Sequence, residues 1–190
     1  MIDALTSIFT GDIKARYDDR GRWAQVEEGR VLYDLVKDNN VKLALEIGTA
    51  NGWTACWMAA AGAKVYTFDY ANRAKIYTDP KFPLPELKDR IVFHHTPSPD
   101  CFGIIKKLTF TAEPMVFFVD GDHGFEGVSR DFDDVMAIAR PGDKLVLHDT
   151  APHAGYPGVR RCFRRKVIHV MSPERYQIIE TLNGMAVVTV

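Results

Sequence analysis

Three groups of residues combine chemical type and spacing in a way that could support a reaction. The first is Asp120-Gly121-Asp122-His123-Gly124-Phe125-Glu126, which follows the most apolar run in the chain, residues 115–119. The second is His148-Asp149, which ends another apolar run. If both runs are neighbouring strands, their acidic ends offer hard oxygen ligands that suit Mg²⁺ or a similar ion with positions left for substrate oxygens. His148 departs from an all-oxygen set, since imidazole suits Mn²⁺ or Zn²⁺ better than Mg²⁺. Taken alone, Asp-Gly-Asp-His also reads as a turn with capping aspartates. The third group is Glu46-x-Gly48-x-x-x-Gly52, where Gly48 and Gly52 bracket Thr49, Ala50 and Asn51. Glycines there let backbone run close beneath a ligand, and a helix starting after them presents unpaired N–H groups to something polar or anionic. Glu46 is placed to hold a charged or hydroxylated part of that ligand.

The elements that position these residues follow from periodicity. A helix from Trp23, carrying Val26, Arg30, Tyr33 and Val36-Lys37 at helical spacing with Leu32 and Leu35 widening its apolar face, ends at Asp38-Asn39-Asn40. Strands are expected over 42–47, 64–69, 90–95, 115–119 and 144–147, with helices over 53–61, about 101–108 and after Gly127. In the last helix Val128, Phe132 and Val135 face inward, with Arg130, Asp131, Asp133 and Asp134 outside. Alternating strand and helix implies a mainly parallel α/β sheet covered on both faces, with ligands at the carboxyl ends of its strands. Glu46, Asp69, Asp120 and Asp149 all fall at such ends. Asp69 could take both hydroxyls of a ribose or cap a helix, and Tyr70 could lie on an adenine face. Asn183-Gly184 between two β-rich runs signals a type I′ hairpin. Residues 71–90, with Asp79-Pro80, Phe82-Pro83 and Leu84-Pro85, break any long helix. Asp18 to Arg22 reads as an exposed turn.

The glycine loop is neither a dinucleotide fingerprint, since Ala50 stands where its second glycine would be, nor a phosphate-binding loop, since G-K-[ST] is absent. It resembles the first motif of class I S-adenosylmethionine-dependent methyltransferases. The Asp120 to Glu126 stretch with His148-Asp149 is similar to the metal-dependent small-molecule O-methyltransferases, of the catechol type and of the antibiotic and sugar type, whose motif runs D-G-x-H-x-Y-E. The resemblance implies a three-layer sandwich with a Rossmann-like seven-stranded sheet closed by an antiparallel C-terminal hairpin. It implies S-adenosylmethionine on Glu46, Gly48, Thr49, Ala50, Asn51, Gly52, Asp69, Tyr70, Ser98 and Asp120. It also implies Mg²⁺ or Mn²⁺ on Asp120, His148 and Asp149, and His123 as general base, titrating near neutrality. Asp122 and Glu126 would orient His123 or the ion. Of the Gly-Asp-Ser that often meets the adenine in this family, only Ser98 is present.

At 190 residues, 46% hydrophobic and 26% charged, the chain reads as one globular domain, 1–190. Within it, 1–22 is an N-terminal extension, 42–149 a cofactor-binding core, and 151–190 an acceptor loop, basic helix and closing hairpin. A net charge of -1 gives no global attraction to nucleic acid or an anionic membrane, and no apolar run approaches a membrane span. Cys56, Cys101 and Cys162 form no C-x-x-C, which points to free thiols in a reducing cytoplasm, and no signal peptide is evident. Arg160, Arg161, Arg164, Arg165 and Lys166 cover one side of a helix. They read first as a solvated face, and otherwise as a site for an anionic acceptor, a nucleic acid or an acidic partner. The expected partner is a small-molecule acceptor, selected by 1–22, 71–90 and 151–158, and a homodimer is allowed. The leading reading is metal-assisted O-methylation. Behind it stand a metal-independent methyltransferase using His123 and His148, and a non-catalytic module. A nicotinamide enzyme is opposed by Ala50 and the Asn183-Gly184 hairpin.

Overall fold

The computed structural model describes residues 1–8, 24–75, 85–108 and 113–190. The expected turn at Asp18 to Arg22, the start of the first predicted helix at Trp23 and the proline breaks at 79–84 lie outside them. Seven strands form one sheet: β1 (Leu43–Ile47), β2 (Lys64–Asp69), β3 (Ile91–His95), β4 (Met115–Val119), β5 (Lys144–His148), β6 (Tyr176–Ile179) and β7 (Met185–Thr189). Their order is β3-β2-β1-β4-β5-β7-β6. The first five run parallel, and β7 is antiparallel to both β5 and β6. The sheet is therefore the expected mainly parallel one with an antiparallel close. Strand order reverses between β1 and β4, where Ile47 pairs with Val119. A ligand crevice opens at such a reversal because the connecting helices leave to opposite faces.

Helices α1 (Ile2–Ile8), α2 (Val26–Asp38) and α3 (Trp53–Ala60) cover one face; α4 (Ser98–Leu108), α5 (Phe125–Ile138) and α6 (Pro157–Phe163) cover the other. The unbroken apolar run of β4 has a simple cause: Met115, Phe117 and Val119 enter one core, Val116 and Phe118 the other, and all five are buried. Helix α3 is buried along its whole length from Trp53 to Ala59, which explains why it is apolar all round. Within the N-terminal extension, α1 places Leu5 fully in the core. Within 71–90, Pro85–Arg90 forms a 3₁₀ turn before β3. Among the described residues no helix is long and apolar enough to cross a membrane.

Two expectations need correction. The inner stripe of α2 is Glu28, Gly29, Leu32 and Val36, whereas Arg30 is exposed. The stripe is turned because Gly29 lets α2 sit directly on Trp57. A Cβ at Gly29 would lie 2.2 Å from the Trp57 indole nitrogen. The closing hairpin exists, but its turn is not type I′. The last pair is Ile179 with Met185, leaving residues 180–184 as the loop. Asn183 lacks the positive φ that type I′ requires. It is buried instead, giving both its backbone N–H and its side-chain amide to Glu28 at 3.0 and 3.2 Å.

Trp57 has no exposed surface, and a Cβ at Gly29 would fall on its indole. Gly29→Ala should therefore overpack the α2–α3 contact and cost about 1–3 kcal/mol, read as a lower urea midpoint. An unchanged midpoint would mean that the two helices can separate freely.

Candidate active site

At the carboxyl ends of β1, β2 and β4 lies a cavity of about 570 Å³. From the loop of residues 48–52, Gly48 and Ala50 line it, whereas Thr49, Asn51 and Gly52 do not. Gly48 has φ +102° and gives its N–H to the Phe68 carbonyl at 2.8 Å. A Cβ there would stand 2.1 Å from the Asp120 carbonyl oxygen, so this glycine is required by the approach of β4 as well as by any ligand. Gly52 is left-handed at φ +74°, and Ala50 shares that region at φ +45°. Asn51 Oδ1 accepts the Trp53 N–H at 3.2 Å, capping α3.

Asp69 and Glu46 have different roles. Asp69 lines the cavity; its Oδ2 accepts the Ala50 N–H at 2.9 Å and its Oδ1 the Ala71 N–H at 2.8 Å, with Arg73 Nε 3.5 Å away. It thus ties β2 to the glycine loop and leaves lone pairs toward the cavity. Glu46 was expected to meet the ligand, but it is fully buried beneath the loop, bonded to Thr54 and Thr67. Thr49 is likewise buried, its hydroxyl 2.6 Å from that of Thr67. Burial outweighs the threonine hydrogen bonds and raises the Glu46 pKa to about 8, so the carboxyl is largely neutral at pH 7. Tyr70 stands at the rim, exposed. Ser98 also lines the cavity, but its hydroxyl donates to Asp131. Asp131 was placed outside α5 by periodicity; it is fully buried, and desolvation lifts its pKa to about 6.

Beyond the Asp120 edge of the cavity, carboxylates and imidazoles converge. His123 Nε2 is 2.8 Å from Asp149 Oδ2 and 3.4 Å from Asp120 Oδ1. Its ring stacks on Tyr156 with centroids 4.1 Å apart. His148 is buried, with Nδ1 3.2 Å from Asp120 and 3.4 Å from Asp149, and Nε2 3.1 Å from Glu28. Burial pulls the His148 pKa down, but Asp120, Asp149 and Glu28 prevail and hold it well above the usual value. Its Nδ1 bonds to Asp120 and its Nε2 faces Glu28 without a well-formed hydrogen bond, a setting that favours the protonated ring. Burial likewise opposes charge on His123, yet the same aspartates raise its pKa to about 9 rather than near neutrality. Asp120 is held well below the usual carboxylate range: its burial is outweighed by His148 and His123. Asp149 adopts φ +60°, a strained position for a residue with a side chain, of the kind that clusters at functional sites.

One donor atom each from Asp120, His123 and Asp149 lies within 4.8 Å of the others, and Asp120 and His123 are partly exposed. Two carboxylates and an imidazole fit a divalent ion with open positions. The expected ligand His148 lies outside this group: it is buried, with Nδ1 turned to Asp120 and Asp149 and Nε2 to Glu28. Asp122 and Glu126 do not reach His123 either. Asp122 accepts the Gly124 N–H at 2.7 Å and packs on Gly127, and Glu126 is exposed.

Periodicity could not reveal Glu28. It closes α2's first turn by accepting the Gln25 N–H at 2.6 Å, then reaches across to Thr181, Asn183 and His148. The Gln25-x-x-Glu28 spacing signals only the cap.

The strand order, the glycine loop and the acid at the end of β2 define the class I methyltransferase architecture. The chain belongs to that class by sequence as well: the family model described as methyltransferase domain matches residues 45–150. Solved structures share the fold. The O-methyltransferase TomG from Streptomyces achromogenes, involved in tomaymycin synthesis and bound to S-adenosylmethionine, is 20% identical with a TM-score of 0.73, covering 99% of this chain and 89% of that one. An O-methyltransferase from Bacillus cereus bound to S-adenosylhomocysteine is 19% identical, TM-score 0.68, over 98% and 90%. A putative caffeoyl-CoA O-methyltransferase from Staphylococcus aureus is 14% identical, TM-score 0.68, over 99% and 91%.

Because the folded state holds the Glu46 proton up to about pH 8 and the unfolded chain releases it near 4.5, stability should fall as pH rises between those values. Glu46→Gln should remove that slope, so the variant gains on the wild type from about pH 5 to about pH 9 in urea unfolding. A constant difference across that range would mean that Glu46 is ionised in the fold.

Proposed function

We propose that this methyltransferase transfers the methyl group of S-adenosylmethionine to a hydroxyl oxygen of a small-molecule acceptor, assisted by a divalent ion. The observation that carries this reading is the Asp120–His123–Asp149 group at the edge of the cavity lined by Gly48 and Ala50. The glycine loop and Asp69 would hold the cofactor, with Ser98 and Tyr70 at its far end. Asp120 and Asp149 would hold the ion, which leaves His123 as the base. Bound there, a divalent ion lowers the pKa of an acceptor hydroxyl and offsets the two carboxylates.

The chain's own residues do the rest. In its neutral form His123 would accept the hydroxyl proton, and Asp149 and Asp120, which lie against its Nε2, would stabilise the imidazolium that results. Stacking on Tyr156 fixes the His123 ring plane. His148, already charged, keeps the two carboxylates in place. The oxyanion would take the sulfonium methyl as its carbon–sulfur bond breaks and S-adenosylhomocysteine leaves, and the protein contributes placement. A metal-independent route has support in the burial of His148 against Asp120 and Asp149, which leaves it to orient Asp149 for a His123 base. Three buried free thiols favour a reducing compartment such as the cytoplasm.

His123→Ala should retain S-adenosylhomocysteine binding by calorimetry and lose about 10²–10⁴ in kcat on a hydroxylated acceptor. A base with its pKa near 9 works only once deprotonated, so the metal-free rate should climb with pH up to about 9, and Mg²⁺ or Mn²⁺ should move the midpoint down. Activity untouched by EDTA would select the metal-independent route. A chain that binds no S-adenosylhomocysteine would overturn the reading.

A further inference from the structure

Helix α6 and the π turn that continues it, Arg164–Ile168, carry Arg160, Arg161, Arg164 and Arg165 exposed to solvent. Together with Pro157 and His169 they line a pocket of about 290 Å³ that contains no acidic group. Among the described residues none of the four arginines has a carboxylate at ion-pair distance, whereas neighbouring Lys166 is paired with Asp133 at 2.6 Å. No Asp or Glu occurs from Thr150 to Pro173. A solvated helix face ordinarily mixes signs, because like charges four apart repel. Here Arg160 faces Arg164 and Arg161 faces Arg165 at that spacing. The π turn interrupts the helix at the pocket, a distortion that recurs at functional sites.

The pocket is coupled to the reacting centre. The guanidinium of Arg161 lies 4.1 Å over the Phe125 ring and that of Arg165 lies 5.7 Å from it. Gly158 packs so tightly on the loop that a Cβ would come within 2.3 Å of the His123 carbonyl. Tyr156, which immediately precedes α6, is stacked on His123. A cleft of about 430 Å³ shares Arg160 and Arg164 and reaches Thr150, the residue after Asp149.

We infer that this pocket binds the diphosphate, or an equivalent cluster of phosphates, of a small-molecule acceptor whose hydroxyl is presented to His123. Guanidinium forks match phosphate oxygens two at a time, and several forks around one pocket call for more than one phosphate. A nucleic acid fits less well, since the basic surface is one helix wide on a chain of net charge -1. The acceptor's part in this rests on the methyl-transfer reading; the anion site itself does not.

The test is calorimetric titration of the full chain with inorganic pyrophosphate and, separately, with S-adenosylhomocysteine, for the wild type and the Arg160→Gln/Arg164→Gln variant. Pyrophosphate should bind the wild type, and the double variant should weaken it by about tenfold or more with S-adenosylhomocysteine affinity unchanged. Absence of pyrophosphate binding in the wild type, or equal binding in the variant, overturns the site. A single-stranded oligonucleotide binding more tightly than pyrophosphate with the same arginine dependence overturns the small-molecule assignment. A wild type that binds pyrophosphate but no S-adenosylhomocysteine would sink the methyl-transfer reading and leave the anion site standing.

Discussion

The buried charge on His148 is the constraint on which the acceptor half of the molecule depends. Glu28 on α2, Asp120 after β4 and Asp149 after β5 all point at one imidazole that is 2% exposed. Without that positive charge two buried carboxylates and the partly exposed Asp120 would crowd one another, an arrangement that favours protonation or rearrangement. With it, a helix on one face of the sheet is joined to two strand ends. The same Glu28 also receives the hairpin loop through Thr181 and Asn183. This is why residues 180–184 abandon the tight turn their sequence favours, and it helps Asp149 hold a backbone conformation that costs energy.

The cofactor half is held by a second, uncharged set of contacts. Thr49, Thr54 and Thr67 surround Glu46, so the loop above β1 is fastened to β2 from below. Asp69 fastens it again from the side through the Ala50 N–H. The two halves meet where Gly48 touches the Asp120 carbonyl. A loop pinned at three points is preorganised, so little conformational freedom remains to be lost when a ligand arrives.

Strands were legible because doubly buried strands are continuous apolar runs that end in acids, and β2 and β4 begin and end where the sequence places them. The seven-stranded sheet with its antiparallel close followed from the resemblance of two motifs, whereas the strand order and its reversal were first given by the structure. Illegible were facts that depend on partners distant in sequence. Periodicity sorts polar from apolar, so it placed Asp131 outside, although Ser98 supplies the contact that brings it in. It could not see that Glu28 would face a buried His148, which looked like a metal ligand from its place at a strand end. Local turn chemistry gave Asn183-Gly184 a type I′ turn, and a buried carboxylate on another element overrode it.

The cysteines carry a kinetic consequence. Cys56, Cys101 and Cys162 are all fully buried, one each in α3, α4 and α6, the helices that carry the glycine loop, Ser98 and the arginines. Burial raises all three thiol pKa values, that of Cys101 to about 12. Thiolate, the form that reacts, is therefore scarce in the closed fold, and an alkylating reagent can reach each sulfur only when its helix opens. Three chemically silent thiols thus serve as clocks for local unfolding, each set beside a different part of the active site.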